Sequence, residues 1–161
     1  MDLRIKNKKT KIFFTILFIL YIVLLLGVVT LRFWNPDQLL QMREALDNGT
    51  AAPNFKPFAT LINQIQNITT GYALWNIAAN TICFIPFGFI LPLVSLQKTG
   101  VIITTLWGML FSVIIEFLQY AFNLGLFDVD DIILNTVGVL IGYILILIFW
   151  KLRYRNKTVG R

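Results

Sequence analysis

Residues 12–31 read IFFTILFILYIVLLLGVVTL, twenty residues without a charge. A helix of that length rises about 30 Å, the thickness of a bilayer's hydrocarbon core. Five basic residues precede it: Arg4, Lys6, Lys8, Lys9 and Lys11. A secretory signal peptide starts in the same way, but this apolar run exceeds a usual signal core and no small-residue cleavage pattern follows. The stretch therefore reads as an uncleaved first span. Three further runs complete the set, at about 73–96, 101–122 and 132–150. The expected fold is an all-α integral membrane protein with four transmembrane helices.

The composition agrees. The 161-residue chain is 57% hydrophobic and 14% charged, with a mean hydropathy of +0.74. Soluble domains are less apolar and carry nearly twice the charge, and a chain this short could not bury so much apolar surface in water. Disorder is excluded because it requires low hydrophobicity. There is no histidine, which removes Ser-His-Asp and Cys-His catalysis, His-ligated zinc or haem, and a histidine switch. Cys83 is the single cysteine, so no internal disulfide can form; it reads as a small buried filler.

The charges mark topology. Five of the fourteen basic residues precede the first span, five follow the fourth, and Lys98 lies in the 97–100 turn. The long segment 32–71 holds three and the 123–131 loop none. The positive-inside rule then places the 1–11 and 151–161 tails and the 97–100 turn in the cytoplasm. Segment 32–71 falls outside the cell. The net charge of +6 is thus explained without a nucleic-acid partner.

Segment 32–71 has helix signals of its own. Asn35 is a candidate N-cap with Pro36 after it, and Asn48-Gly49 is a stop. Leu39, Met42 and Leu46 share a face, and a second helical stretch runs from Pro57 to about Asn67. Both are expected to be amphipathic, capping the bundle or forming an outward binding surface. Asn67-Ile68-Thr69 and Asn48-Gly49-Thr50 match the N-glycosylation tripeptide, which a bacterial chain would not use.

Glu116 is the one acidic residue inside a span. A carboxylate there is costly and normally faces a partner, a cavity or a functional site. Ser112 and Gln119 share its helix face. Glu116 lies 15 residues into a span that starts in the cytoplasm, roughly 22 Å along it, in the outer third. Asn76 and Asn80 of the second span, and Asp131 and Asn135 of the fourth, fall at the same depth. Asp128, Asp130 and Asp131 lead into the fourth span, where a helix N-terminus favours negative charge. The expected ligand-binding set is Asn76, Asn80, Glu116, Gln119, Asp128, Asp130, Asp131 and Asn135. The spacing is not that of an EF-hand, and no metal ligand is assigned. No cofactor is identified. Pro86, Gly88 and Pro92 predict a kink or break in the second span. Gly138 and Gly142 form a GxxxG pair suited to packing inside the bundle or to a homo-oligomer.

Four pieces of the chain together resemble the VanZ-like family. They are Asn54-Phe55-Lys56-Pro57-Phe58, the stretch from Asn76 to Gly88 with Asn80, Phe84 and Pro86, Glu116-Phe117-Leu118-Gln119, and the stretch from Asp128 to Gly138 with Asp130, Asp131 and Asn135. The resemblance covers roughly residues 15–150. It implies a multi-pass protein of the bacterial cell membrane linked to glycopeptide resistance, in the prototype's case to teicoplanin. The chain departs from the pattern at 123–127, where relatives often carry an Arg; Lys56 is a candidate substitute cation. The expected function is a non-enzymatic envelope protein that binds a membrane lipid or a lipidated glycopeptide at the outer leaflet. The alternatives are an intramembrane enzyme with Glu116 as acid or base and aspartates holding a divalent cation, and a lipid flippase.

Overall fold

The computed structural model describes residues 2–31, 36–66, 68, 71–122 and 124–158. The Asn35 cap and the Asn67-Ile68-Thr69 tripeptide lie at least partly outside the described residues, as do the Leu39 and Met42 side chains.

Among the described residues six helices follow one another: α1 (Lys8–Leu31), α2 (Pro36–Asp47), α3 (Ala59–Gln66), α4 (Gly71–Val94), α5 (Val101–Ala121) and α6 (Val129–Thr158). Four of them, α1, α4, α5 and α6, are long and apolar enough to cross a membrane. The protein is therefore a four-span, all-helical membrane protein, with α2 and α3 between the first and second spans. Large apolar side chains such as Phe13, Leu24, Ile102, Phe117 and Ile148 are exposed on its outer faces. In water that would be untenable; against lipid tails it is the expected surface.

The bundle is layered along its length. At one end Leu3, Leu93, Tyr143 and Ile146 pack together with Phe14, Phe89 and Trp150. The N-terminal segment folds back under α4 here. The Ile5 N–H donates to the Leu93 carbonyl at 3.0 Å, Arg4 Nη1 to the Leu96 carbonyl at 3.1 Å and Lys11 Nζ to the Ser95 carbonyl at 3.2 Å. Two of the residues read as topology markers thus also satisfy carbonyls just past the end of α4, where cations are favoured. Arg4 also bonds Asp2 at 2.8 Å, which holds the exposed Asp2 carboxyl well below the usual carboxylate range. The middle layer is aromatic: Phe84, Phe87, Leu25, Ile115 and Val139 with Phe18, Tyr21 and Phe111. Phe87 and Phe111 stack at 5.4 Å, and Tyr21 Oη donates to the Cys83 carbonyl at 2.7 Å.

Glycine sets the approach of α4 to α6. A Cβ added at Gly88 would overlap the Val139 carbonyl, at Gly138 the Thr81 carbonyl, and at Gly142 the Ile85 carbonyl. Both glycines of the GxxxG pair therefore pack within the chain, backbone against backbone.

Three details differ from the sequence expectations. The second span is one uninterrupted helix despite Pro86 and Pro92. Each proline removes a single backbone bond, and close packing against α6 on one side and aromatic rings on the other holds the helix together. That helix ends at Val94, two residues early. The fourth span begins at Val129 rather than at residue 132 and continues to Thr158 beyond its apolar run. Asp130 and Asp131 are consequently in its first turn. Asp128 is its N-cap, with Oδ1 accepting the Asp130 N–H at 2.9 Å. The Asn48-Gly49 stop of α2 is a Schellman turn: Gly49 has φ +68°, its N–H bonds the Leu46 carbonyl at 3.1 Å, and the Thr50 N–H bonds Ala45 at 2.8 Å.

Candidate functional site

Beyond the aromatic layer, at the end away from the N-terminal segment, the bundle encloses a cavity of about 870 Å³. Its floor is Leu25, Phe84 and Ile115, shared with the core. The 124–128 loop and α3 border it. That size suits a ligand of several hundred daltons.

The acidic end of α6 is assembled by the segment 54–61. The Asn54 N–H donates to the Phe127 carbonyl at 2.8 Å, and the Val129 N–H to the Asn54 carbonyl at 3.1 Å. Asn54 Nδ2 reaches Asp128 Oδ1 at 2.9 Å and Thr60 Oγ1 at 2.9 Å, while Phe55 stacks on Phe127 at 5.4 Å. This single ladder-like bridge fixes where α6 starts. From α5, Glu116 Oε2 accepts the Asp128 N–H at 3.1 Å. Glu116 is only 4% exposed, and that bond helps to offset the cost of burying a carboxylate.

Seven of the eight expected site residues line the cavity: Asn76, Asn80, Glu116, Gln119, Asp128, Asp131 and Asn135. Asn80 Nδ2 donates to Asp131 Oδ1, joining α4 to α6. Asn135 Nδ2 donates to Ser112 Oγ at 2.8 Å, joining α6 to α5.

Asp130 is the exception. It is 1% exposed and lies outside the lining. Its Oδ1 accepts the Phe58 N–H at 2.5 Å and its Oδ2 the Leu61 N–H at 2.9 Å. It thereby caps α3, whose first N–H groups have no partner inside the helix. The same bond holds Phe58, which sits at φ +68°, a conformation that is unfavourable for a side chain of its size. Asp130 is an anchor for the roof helix.

Asn54, Thr60, Gln64 and Trp75 also line the cavity and were not in the expected set. Thr60 and Gln64 are spaced i, i+4 on α3, a legible polar pair. Asn54 lay in the first of the four family-like motifs. Cys83, expected as buried filler, is half-buried and reaches the lining. Lys56 is exposed and outside the lining, so it does not stand in there for the missing Arg. Among the described residues the lining contains Glu116, Asp128 and Asp131 but no Lys or Arg. No three of the described acidic and cysteine side chains are grouped to hold a metal ion.

Fold and site together define a multi-pass membrane protein with an acidic cavity set into one end of its bundle. Comparison with known proteins makes the class specific: the VanZ/LLP1 family pattern matches residues 18–150, and the chain belongs to that family. It is 36% identical to Protein VanZ of Enterococcus faecium over 63 residues, which is 39% of this chain and 38% of that relative's length. No solved structure matches.

Proposed function

We propose that the protein is an envelope component of the bacterial cell membrane that binds a lipid-linked or lipidated ligand at the outer leaflet, and that this binding lowers susceptibility to teicoplanin. The cavity carries the reading: a polar wall drawn from three spans over an apolar floor of Leu25, Phe84 and Ile115. The distribution of Lys and Arg supports an orientation with both termini in the cytoplasm, which turns the cavity outward. Teicoplanin bears an acyl chain, and an amphiphilic cavity of this size suits that lipidated part of it; family membership supports the link to glycopeptides.

Glu116→Gln tests this, because the amide keeps an acceptor for the Asp128 N–H while removing the charge. In a teicoplanin-susceptible host, the unaltered protein should raise the inhibitory concentration. The Glu116→Gln variant should leave it at the host's level with equal protein in the membrane. Equal protection by both would overturn the role given to the cavity.

A further inference from the structure

Resting on that reading, we infer that the ligand turns hydroxyl groups toward Asn135 and Gln64 and lays its chain across the apolar mouth of the cavity. The ligand class is an amphiphile with a sugar head, a glycolipid.

The first observation is a pair of buried acceptors. Asn135 is 3% exposed, and while its Nδ2 is bonded to Ser112, its Oδ1 is buried with no hydrogen-bond partner. Gln64 on the roof helix likewise has a buried Oε1 without a partner. Both residues line the cavity. A buried acceptor left unsatisfied costs stability unless something donates to it. The part of the ligand that meets these two oxygens therefore carries hydrogen. A fully ionised phosphate or carboxylate, which only accepts, does not answer them.

The second observation is the chemistry of the wall around them. Six lining residues are carboxamides: Asn54, Gln64, Asn76, Asn80, Gln119 and Asn135. A carboxamide is neutral and both donates and accepts. A hydroxyl has the same two capacities and meets either end of such a side chain. A sugar gathers several hydroxyls on one rigid ring, so little freedom is lost when they bond together.

The third observation concerns the apolar part. The lining residues that are exposed at the surface are Val28, Ala52, Trp75 and Ile82, all apolar. Val28 is on α1, and Trp75 and Ile82 are on α4, so this side opens between two membrane spans. A chain lying there stays against lipid-facing side chains while its head reaches the acceptors. The Trp75 ring also suits the C–H face of a pyranose, which leaves the ring's hydroxyl edge free for the carboxamides.

The test uses the full chain in phosphatidylcholine nanodiscs, because that lipid has no O–H or N–H donor of its own. Binding is read by calorimetric titration, each probe below its micellar concentration and corrected for empty nanodiscs. The probes are octyl glucoside, its tetra-O-methyl derivative, which keeps ring and chain but loses every donor, methyl glucoside, which loses the chain, and teicoplanin. Hydrogen bonds to buried acceptors should make octyl glucoside bind about tenfold or more tightly than the methylated derivative. Gln64→Met keeps the length of the roof side chain and removes its oxygen; Asn135→Leu does the same on α6. Each should weaken octyl glucoside several-fold while leaving the methylated probe unchanged, and Gln64→Met alone decides the point if Asn135→Leu does not fold. Equal affinity for the two octyl probes, or a preference that the folded variants do not move, would overturn the hydroxyl assignment while leaving a lipidated ligand in place. Methyl glucoside binding as tightly as octyl glucoside would assign the site to a soluble sugar and overturn the amphiphile. Teicoplanin binding without either octyl probe would overturn this inference alone. No binding by any probe would overturn it together with the proposed function.

Discussion

Asp130 and Asp131 are adjacent and carry the same group, yet they do different work. Successive helix residues point about 100° apart, so one carboxylate turns to α3 and the other to the cavity. Asp130→Ala would leave the Phe58 and Leu61 N–H groups unpaired at a buried site. The expected cost is about 2–4 kcal/mol, the range for losing two buried partners. It should appear as a lower midpoint of thermal unfolding in detergent. Asp131→Asn keeps an acceptor for Asn80 and should change the midpoint far less; equal losses would refute the division of roles. The sequence placed this acidic run at a helix start. It could not show which carboxylate faced where, because the partners of Asp130 lie about seventy residues away, in a segment whose position is set only by folding.

The same limit operates among the elements. The four spans were legible because a hydrocarbon environment demands long uncharged runs and little else produces them. Their ends were less legible. The fourth helix runs on into its basic tail, since nothing between Trp150 and Thr158 stops a helix. The prolines of α4 were expected to kink or break it; the helix is unbroken, because continuity depends on neighbours that a single segment does not reveal. The Gly138 and Gly142 pair was legible as a close contact, though not as one with α4. Gly142→Ala should force that contact apart, destabilising the fold by about 1–3 kcal/mol as overpacking commonly does. Gly27→Ala is the control, because a Cβ there meets nothing within 4 Å. Thermal unfolding of the two variants should separate them clearly; indistinguishable midpoints would mean that the α4–α6 backbone approach does not support the bundle.

For the whole molecule, scarcity of charge organises both halves. Basic residues gather at the end opposite this cavity, where Arg4 and Lys11 also close off the turn after α4. Carboxylates gather at the other end, around the cavity. What the linear pattern could not supply was where the roof docks: Asn54, Thr60 and Gln64 come from the segment between the first two spans, and its docking on α6 brings them over the site. Cys83 in the lining offers a direct reporter of occupancy. The measurement that tests the central claim is the rate at which a small maleimide labels Cys83 in the purified protein, with teicoplanin or with its deacylated core. The acylated compound should slow labelling several-fold and the core should leave it unchanged. A rate that teicoplanin does not alter would contradict the claim that a lipidated ligand occupies this cavity.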